Sequence, residues 1–233
     1  MSKLSNLKKE LSSAPRRDNP EMFFKTHKGG YAYGDIFFGV SIPEQRKIAK
    51  KYLNLDLSSL EILIRSPIHE ERSISLIILI NKFRNSDTFI KESIYNFYIS
   101  YRAYINNWDL VDMSAEHILG DWLYDRDRSI LKSLALSDVL WDRRIAIVST
   151  HYNIKKKEYR QTFAIATILL KDNEDLVQKA IGWMLREVGK YCSQNIEEIF
   201  LKKYYRDISR VALRYSIEKF QEDKRVQYLK GLI

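Results

Sequence analysis

The sequence predicts an all-α fold, and three observations support this prediction. Eight glycines and four prolines are few for 233 residues, because average usage puts about 12% of a chain in these two types. Apolar residues recur at the spacing of one helix face, as in Leu60, Leu63 and Ile64 and again in Ile74, Ile77 and Ile78. No alternating pattern of useful length predicts a strand.

Helix starts are marked by short polar motifs. Ser41 followed by Glu44, and Ser58 followed by Glu61, both have the spacing of a capping box, in which the serine oxygen accepts from an early backbone N–H. Pro67, Asn106 and Asn173 mark breaks between further helices.

A repeat of about 35 residues runs through the chain. Five segments align at intervals of 36, 36, 35 and 31 residues: 71–74, 107–110, 143–146, 178–181 and 209–212. A period of this length holds two helices and is typical of an α-solenoid of HEAT-like repeats. We therefore expect one domain, residues 1–233, in which the second helices of successive repeats line a concave basic groove.

Composition excludes several classes of protein. The chain is 45% apolar and 12% aromatic, which is typical of a globular protein and not of a disordered one. It has one cysteine, Cys192, and no apolar run long enough for a membrane span. The four histidines lack metal-ligand spacing. We expect a cytoplasmic protein without metal, cofactor or membrane partner.

The charge balance allows two interpretations. There are 39 Lys and Arg against 30 Asp and Glu, a formal net charge of +9. Such a surplus attracts polyanions, of which nucleic acid is the most abundant in a cytoplasm. The alternative is that these lysines and arginines are simply solvated on helix surfaces.

The repeat alignment places cations and aromatic rings at equivalent positions. The aligned column holds Arg72, Trp108, Arg144, Lys179 and Arg210. One helical turn later, the column holds Leu76, Asp112, Val148, Trp183 and Arg214. Such a groove offers cations to phosphates and flat rings to a planar partner, a combination that suits nucleic acid.

Three of these residues have a second interpretation. Trp108 and Trp183 are equally consistent with core positions. Asp112 lies among apolar neighbours, where an unpaired buried carboxylate is costly, so it is either functional or part of a structural ion pair, for instance with Arg144. Residues 28–34 hold three glycines and two tyrosines and are predicted to form a loop, which either contacts a ligand or packs on the first helices.

Four segments resemble a known family. They are residues 38–46 (FGVSIPEQR), 108–112 (WDLVD) with 119–121 (LGD), 141–144 (WDRR) and 178–187 (QKAIGWMLRE). They are similar to the HEAT-like-repeat alkylpurine DNA glycosylases of the AlkD type, in the DNA alkylation repair family, over a stretch from about Phe23 to Phe220. The family's Trp and Asp, four residues apart, fall on Trp108 and Asp112, its active-site Arg on Arg144, and its second Trp on Trp183.

The resemblance implies an activity. It is hydrolysis of the N-glycosidic bond of positively charged alkylated purines, such as N3-alkyladenine and N7-alkylguanine, in duplex DNA. Asp112, Trp108, Trp183 and Arg144 are then the expected catalytic residues. We further predict DNA contacts by six cations: Arg46, Arg72, Lys179, Arg186, Arg210 and Arg214. We expect a monomer, and the alternative to the enzyme is a catalytically inactive HEAT-repeat DNA-binding or scaffold protein.

Overall fold

The computed structural model describes residues 2–18, 22 and 24–233, so Phe23, where the predicted resemblance begins, lies outside the described residues. In the described part of the chain no β-strand forms, and nearly all regular structure is helical. The all-α prediction is therefore confirmed.

The chain divides into two compact units, residues 1–114 and 115–233, and each is described by itself below. The expectation of a single domain over residues 1–233 stays a prediction. The helices of the first unit are α1 (Lys3–Ser12), α2 (Ile42–Lys51), α3 (Leu57–Ile64), α4 (His69–Arg84), α5 (Thr88–Ser100) and α6 (Trp108–Ser114).

The second unit begins with a π-helical turn, Glu116–Gly120. Its α-helices are α7 (Asp121–Leu123), α8 (Ser129–Ala135), α9 (Leu140–Ser149), α10 (His151–Lys155), α11 (Arg160–Ile168), α12 (Asp175–Tyr191), α13 (Gln194–Tyr204), α14 (Arg210–Ser216) and α15 (Glu222–Lys230).

One long helix organises each unit. In the first unit, α4 packs against α2, α3, α5 and α6, and in the second, α12 packs against α9, α10, α13 and α14. Each helix thus packs mainly on helices that are near it in sequence, as expected for helical repeats.

The repeat register is visible in the core. The fourth residue of each aligned segment is apolar and has no exposed surface: Ile74, Leu110, Ala146, Ile181 and Ala212. All five lie on helices, namely α4, α6, α9, α12 and α14. The period of about 35 residues therefore marks equivalent core positions.

The two predicted capping boxes have different outcomes. Ser41 caps α2 as predicted, because its side chain accepts from the backbone N–H of Glu44. The prediction for Ser58 is wrong. Helix α3 begins two residues earlier, where the Asp56 carboxylate accepts from the Ser59 N–H at 2.9 Å, and aspartate is as good an N-cap as serine.

Residues 36–40 are fixed to the start of α4. The Glu70 carboxylate accepts from the backbone N–H groups of Phe38 and Gly39 at 2.9 and 2.7 Å. Gly39 has φ +80°, a conformation that costs glycine least. This segment forms one side of the cavity described next.

Within the described ranges, no helix has the length and apolar character needed to cross a lipid bilayer.

Candidate functional site

A cavity of about 400 Å³ lies in the first unit. Its apolar lining comes from Phe24, Phe37, Val40, Ile42, Trp108 and Met113. Its polar lining includes Arg17, Gln45, Arg46, His69, Glu70, Asp109 and Asp112. The cavity therefore combines an aromatic wall with several carboxylates and two arginines, which suits a planar, polar ligand.

The aromatic wall is built from three rings. Phe24 and Phe37 are stacked with centroids 4.7 Å apart, and Phe24 lies 5.8 Å from Trp108. The Trp108 Nε1–H donates to the Tyr31 hydroxyl at 3.1 Å. The loop over residues 28–34 thus packs on Trp108. The sequence alone did not decide whether this loop packs on the protein or contacts a ligand.

Trp108 and Asp112 reach the cavity from one helix. Both line it and both are partly exposed, so Trp108 is not a core residue. Helix α6 begins at Trp108, and the Asn107 side-chain oxygen accepts from the Trp108 backbone N–H at 2.8 Å. Because residues four apart share a helix face, this start places the indole and the carboxylate on the same side of α6.

The predicted cations of the first unit differ in accessibility. Arg46 is exposed and lines the cavity. The predicted DNA contact at Arg72 is not supported, because this side chain is only 3% exposed. Its guanidinium donates to Asp35 at 2.8 Å and to the Ser66 carbonyl at 2.9 Å. Arg72 is therefore a structural residue and is not available as a DNA contact.

In the second unit, one face of α12 carries three predicted site residues. Lys179, Trp183 and Arg186 follow one another at spacings of four and three residues, which puts them on one helix face, and all three are partly exposed. Trp183 is thus not a core residue either. Its ring lies 5.7 Å from that of His151.

Helix α14, which packs on α12, carries two more predicted cations. Arg210 is exposed and donates to the Leu229 carbonyl at 2.8 Å. Arg214, one turn later, is exposed. Arg144 on α9 is different, because it is only 5% exposed and donates to the Leu176 carbonyl.

A second cavity, of about 570 Å³, lies beside α12 and α13. Its cations already have carboxylate partners: Arg186 pairs with Glu218, and Lys190 lies 3.5 Å from Glu187. Glu197 also lines it and is 2% exposed. Burial, reinforced by the nearby Glu198 carboxylate, raises the pKa of Glu197 to about 9, so this side chain is protonated at neutral pH.

An ion-pair network joins the π-helical turn to α10. Glu116 lies 2.8 Å from His151 Nδ1 and 2.6 Å from Lys155 Nζ. Burial on its own disfavours the charged form, but hydrogen bonds from His151 and Lys155 outweigh it and lower the pKa of Glu116 to about 2. His151 in turn packs against Trp183, so this network fixes one side of that indole.

Sequence reasoning missed several cavity residues, namely Arg17, Phe24, Phe37, His69 and Glu70. For four of them, Arg17 excepted, the sequence held a signal. Residues 22–38 are rich in aromatic side chains, and His69 and Glu70 open the helix that follows Pro67.

Comparisons with known proteins agree with this architecture. A family model described as DNA alkylation repair enzyme matches residues 7–220. The chain therefore belongs to the DNA alkylation repair enzyme family, which gives it a role in the repair of alkylation damage to DNA.

A solved structure described as a predicted DNA alkylation repair enzyme from Enterococcus faecalis is similar in fold, with a TM-score of 0.65. It is 18% identical in sequence, and the alignment covers 89% of this chain and 99% of that one. No curated protein matches the sequence.

Proposed function

We propose that the protein is a DNA N-glycosylase. It hydrolyses the N-glycosidic bond of positively charged alkylated purines, N3-alkyladenine and N7-alkylguanine, in duplex DNA. The observation that carries this proposal is the pair of side chains on α6: the Asp112 carboxylate and the Trp108 indole lie one turn apart and both line the same aromatic-walled cavity.

One carboxylate is sufficient for this reaction. An alkylated purine with a formal positive charge leaves as a neutral base, so the leaving group needs no general acid. As the bond between C1′ and the base nitrogen breaks, positive charge develops on the sugar, and water adds to C1′ and releases a proton. An ionised Asp112 stabilises that charge and orients the water.

The expected contribution of Asp112 is large. A carboxylate about 4 Å from the developing charge, at an effective dielectric constant near 20, contributes about 4 kcal/mol. That energy corresponds to roughly a thousandfold in rate. Cation–π attraction from the Trp108 ring adds about 0.5–2 kcal/mol as the charge forms.

The family resemblance supplies two further roles. Trp183 is proposed as the second indole that contacts the lesion's sugar and backbone. Arg144 is proposed as a phosphate contact on the resemblance alone, since this side chain is nearly as buried as Arg72. The proposed contacts to other phosphates are Arg46, Lys179, Arg186, Arg210 and Arg214, because arginine and lysine side chains are regular donors to DNA phosphates.

The experiment that tests the proposal is release of 7-methylguanine from methylated duplex DNA. We expect Asp112→Asn to lower the excision rate about a thousandfold while DNA affinity changes little. Asp125→Asn, at an exposed carboxylate outside the cavity, is the control and should keep full activity. If Asp112→Asn releases the base as fast as the unaltered protein, the catalytic role of Asp112 is wrong. If the unaltered protein releases no base, the proposed activity fails and the alternative, a DNA-binding protein without this activity, takes its place.

A further inference from the structure

The first turn of α4 is a buried cluster of four titratable side chains. His69, Glu70, Glu71 and Arg72 are each between 3 and 4% exposed. Charged side chains are rarely this buried unless they are paired. These side chains contact several other segments of the first unit: Asp109 on α6, Asp35, the backbone of residues 38 and 39, and Lys8 on α1.

His69 and Glu70 are the members of this turn that line the cavity, and of the two it is His69 that contacts α6. Its Nε2 lies 2.8 Å from an Asp109 carboxylate oxygen, and its Nδ1 lies 3.9 Å from Asp35 Oδ2. The imidazole packs against Phe24 and Phe37 with centroids 5.0 and 4.8 Å away. The ring therefore sits between two carboxylates, beneath the aromatic wall.

Asp109 connects His69 to the residues of the proposed reaction. It lies in the first turn of α6, directly after Trp108 and three residues before Asp112. Since Asp109 belongs to a helix, fixing its carboxylate also fixes the rotation of α6 about its axis. That rotation decides how the indole and the Asp112 carboxylate face the cavity.

We propose that protonated His69 is a positioning residue for the proposed glycosylase reaction: by holding Asp109, it fixes α6 so that Trp108 and Asp112 face the cavity. This inference rests on the proposed function. His69 is not a catalytic residue in this proposal, because it acts on the reacting groups only through Asp109.

The charges that face His69 favour its protonated form. Burial alone would lower the pKa of His69, but the hydrogen bond to Asp109 and the nearby Asp35 carboxylate outweigh burial and raise the pKa above its ordinary value of 6.5. The Arg72 guanidinium on the same helix acts in the opposite direction. The attraction that holds α6 is therefore present below pH 6.5 and is lost as the pH rises through the raised pKa.

Two variants at position 69 test this role. His69→Gln keeps a hydrogen-bond donor for Asp109 but carries no titratable charge, and His69→Phe keeps an aromatic ring but has no donor. We expect the excision rate constant to fall about tenfold in His69→Phe and less in His69→Gln, with DNA affinity within about twofold of the unaltered protein. The unaltered protein should lose activity as the pH rises from 6 to 9, and this loss should be absent in His69→Gln.

A second measurement does not depend on activity. The indole N–H resonance of Trp108 can be identified by its absence in Trp108→Phe. In the unaltered protein it should shift with pH with a midpoint above 6.5, and in His69→Gln or Asp109→Asn the shift should disappear.

Glu71→Gln is the matched control. Glu71 lies two residues from His69 and is equally buried, but it pairs with Lys8 on α1 at 2.8 Å. We expect the melting temperature of the Glu71→Gln variant to fall, whereas its pH profile and its Trp108 resonance stay the same as in the unaltered protein.

If His69→Phe behaves like Glu71→Gln, or if the Trp108 resonance does not titrate, the positioning role is wrong. If the resonance titrates but the unaltered protein releases no 7-methylguanine, the proposed function fails and the tether between His69 and α6 stands.

Discussion

Glu197 on α13 shows what one buried titratable group does to stability. Its ordinary pKa in an unfolded chain is 4.5, and in the folded protein burial and the Glu198 carboxylate raise it to about 9. Between these two values the folded state binds more protons than the unfolded state does. Stability therefore decreases as the pH rises through this range.

Replacing this side chain should remove that dependence. We expect the melting temperature of the unaltered protein to fall by several degrees more than that of Glu197→Gln between pH 5 and pH 9, since about 1 kcal/mol shifts the melting temperature of a protein of this size by roughly 2–4 °C. Thermal unfolding followed by circular dichroism at pH 5, 7 and 9 measures the difference. Glu222→Gln, at a side chain that is 70% exposed, should follow the unaltered protein. Parallel curves for Glu197→Gln and the unaltered protein would show that Glu197 ionises normally.

Arg72 and Arg144 show where residue-scale prediction from sequence reached its limit. The repeat register correctly placed both on helices next to core positions, but charge alone does not tell whether a cation faces solvent. Arg72 pairs with Asp35, 37 residues away in sequence, and Arg144 donates to a backbone carbonyl 32 residues away. Neither partner has a local sequence signal, so the burial of these two arginines could not be predicted.

At the scale of elements, the close contact between α12 and α14 depends on a glycine. A Cβ atom at Gly182 would lie 2.3 Å from the Ala212 carbonyl oxygen and 2.5 Å from the Tyr215 Cβ. Since real Cβ atoms do not approach backbone oxygens this closely, any larger residue must separate the two helices. The conformational freedom of glycine is not needed here, only its lack of a side chain.

Gly182→Ala therefore separates packing from helix propensity. Propensity alone predicts that alanine stabilises a helix by about 1 kcal/mol relative to glycine, whereas the clash predicts destabilisation of about 1–3 kcal/mol. We expect the clash to dominate and the urea midpoint of unfolding to fall. A midpoint equal to or above that of the unaltered protein would mean that α14 moves away at little cost.

Helix starts illustrate what local sequence can and cannot fix. Ser41 was correctly predicted as the cap of α2, because it is followed by a proline near the first turn, and proline favours this position. The prediction that Ser58 caps α3 was wrong, because Asp56, two residues earlier, is the N-cap of that helix. Where two good capping residues lie this close together, the capping motif alone does not decide between them.

For the molecule as a whole, the repeat period predicted the helical architecture, and the residues that line the cavity were predicted only in part. The 35-residue register identified five core positions on five helices, since burial of an apolar residue recurs once in each repeat. Trp108 and Asp112 followed from the same register and from the family resemblance. The aromatic wall of Phe24 and Phe37 did not, because residues 24–41 precede the first aligned segment and follow no period.

The net charge of +9 leads to a prediction at the same scale. Each phosphate contact should contribute about −0.9 to the slope of log K against log salt concentration. If the five remaining predicted cations and Arg144 all contact phosphates, the slope should therefore be about −5 to −6. Fluorescence anisotropy of labelled duplex DNA measures this slope, with NaCl varied between about 50 and 200 mM.

Single substitutions then distinguish phosphate contacts from solvated charge. Arg214→Ala, on α14, should reduce the magnitude of the slope by about one and weaken binding to every duplex sequence equally. Lys132→Ala removes the same charge from α8, the helix before α9 in its repeat, and should leave the slope unchanged. Equal effects of the two substitutions would mean that DNA responds only to net charge. A slope near zero in the unaltered protein would instead support a scaffold that binds protein partners, since such binding does not release counterions from DNA.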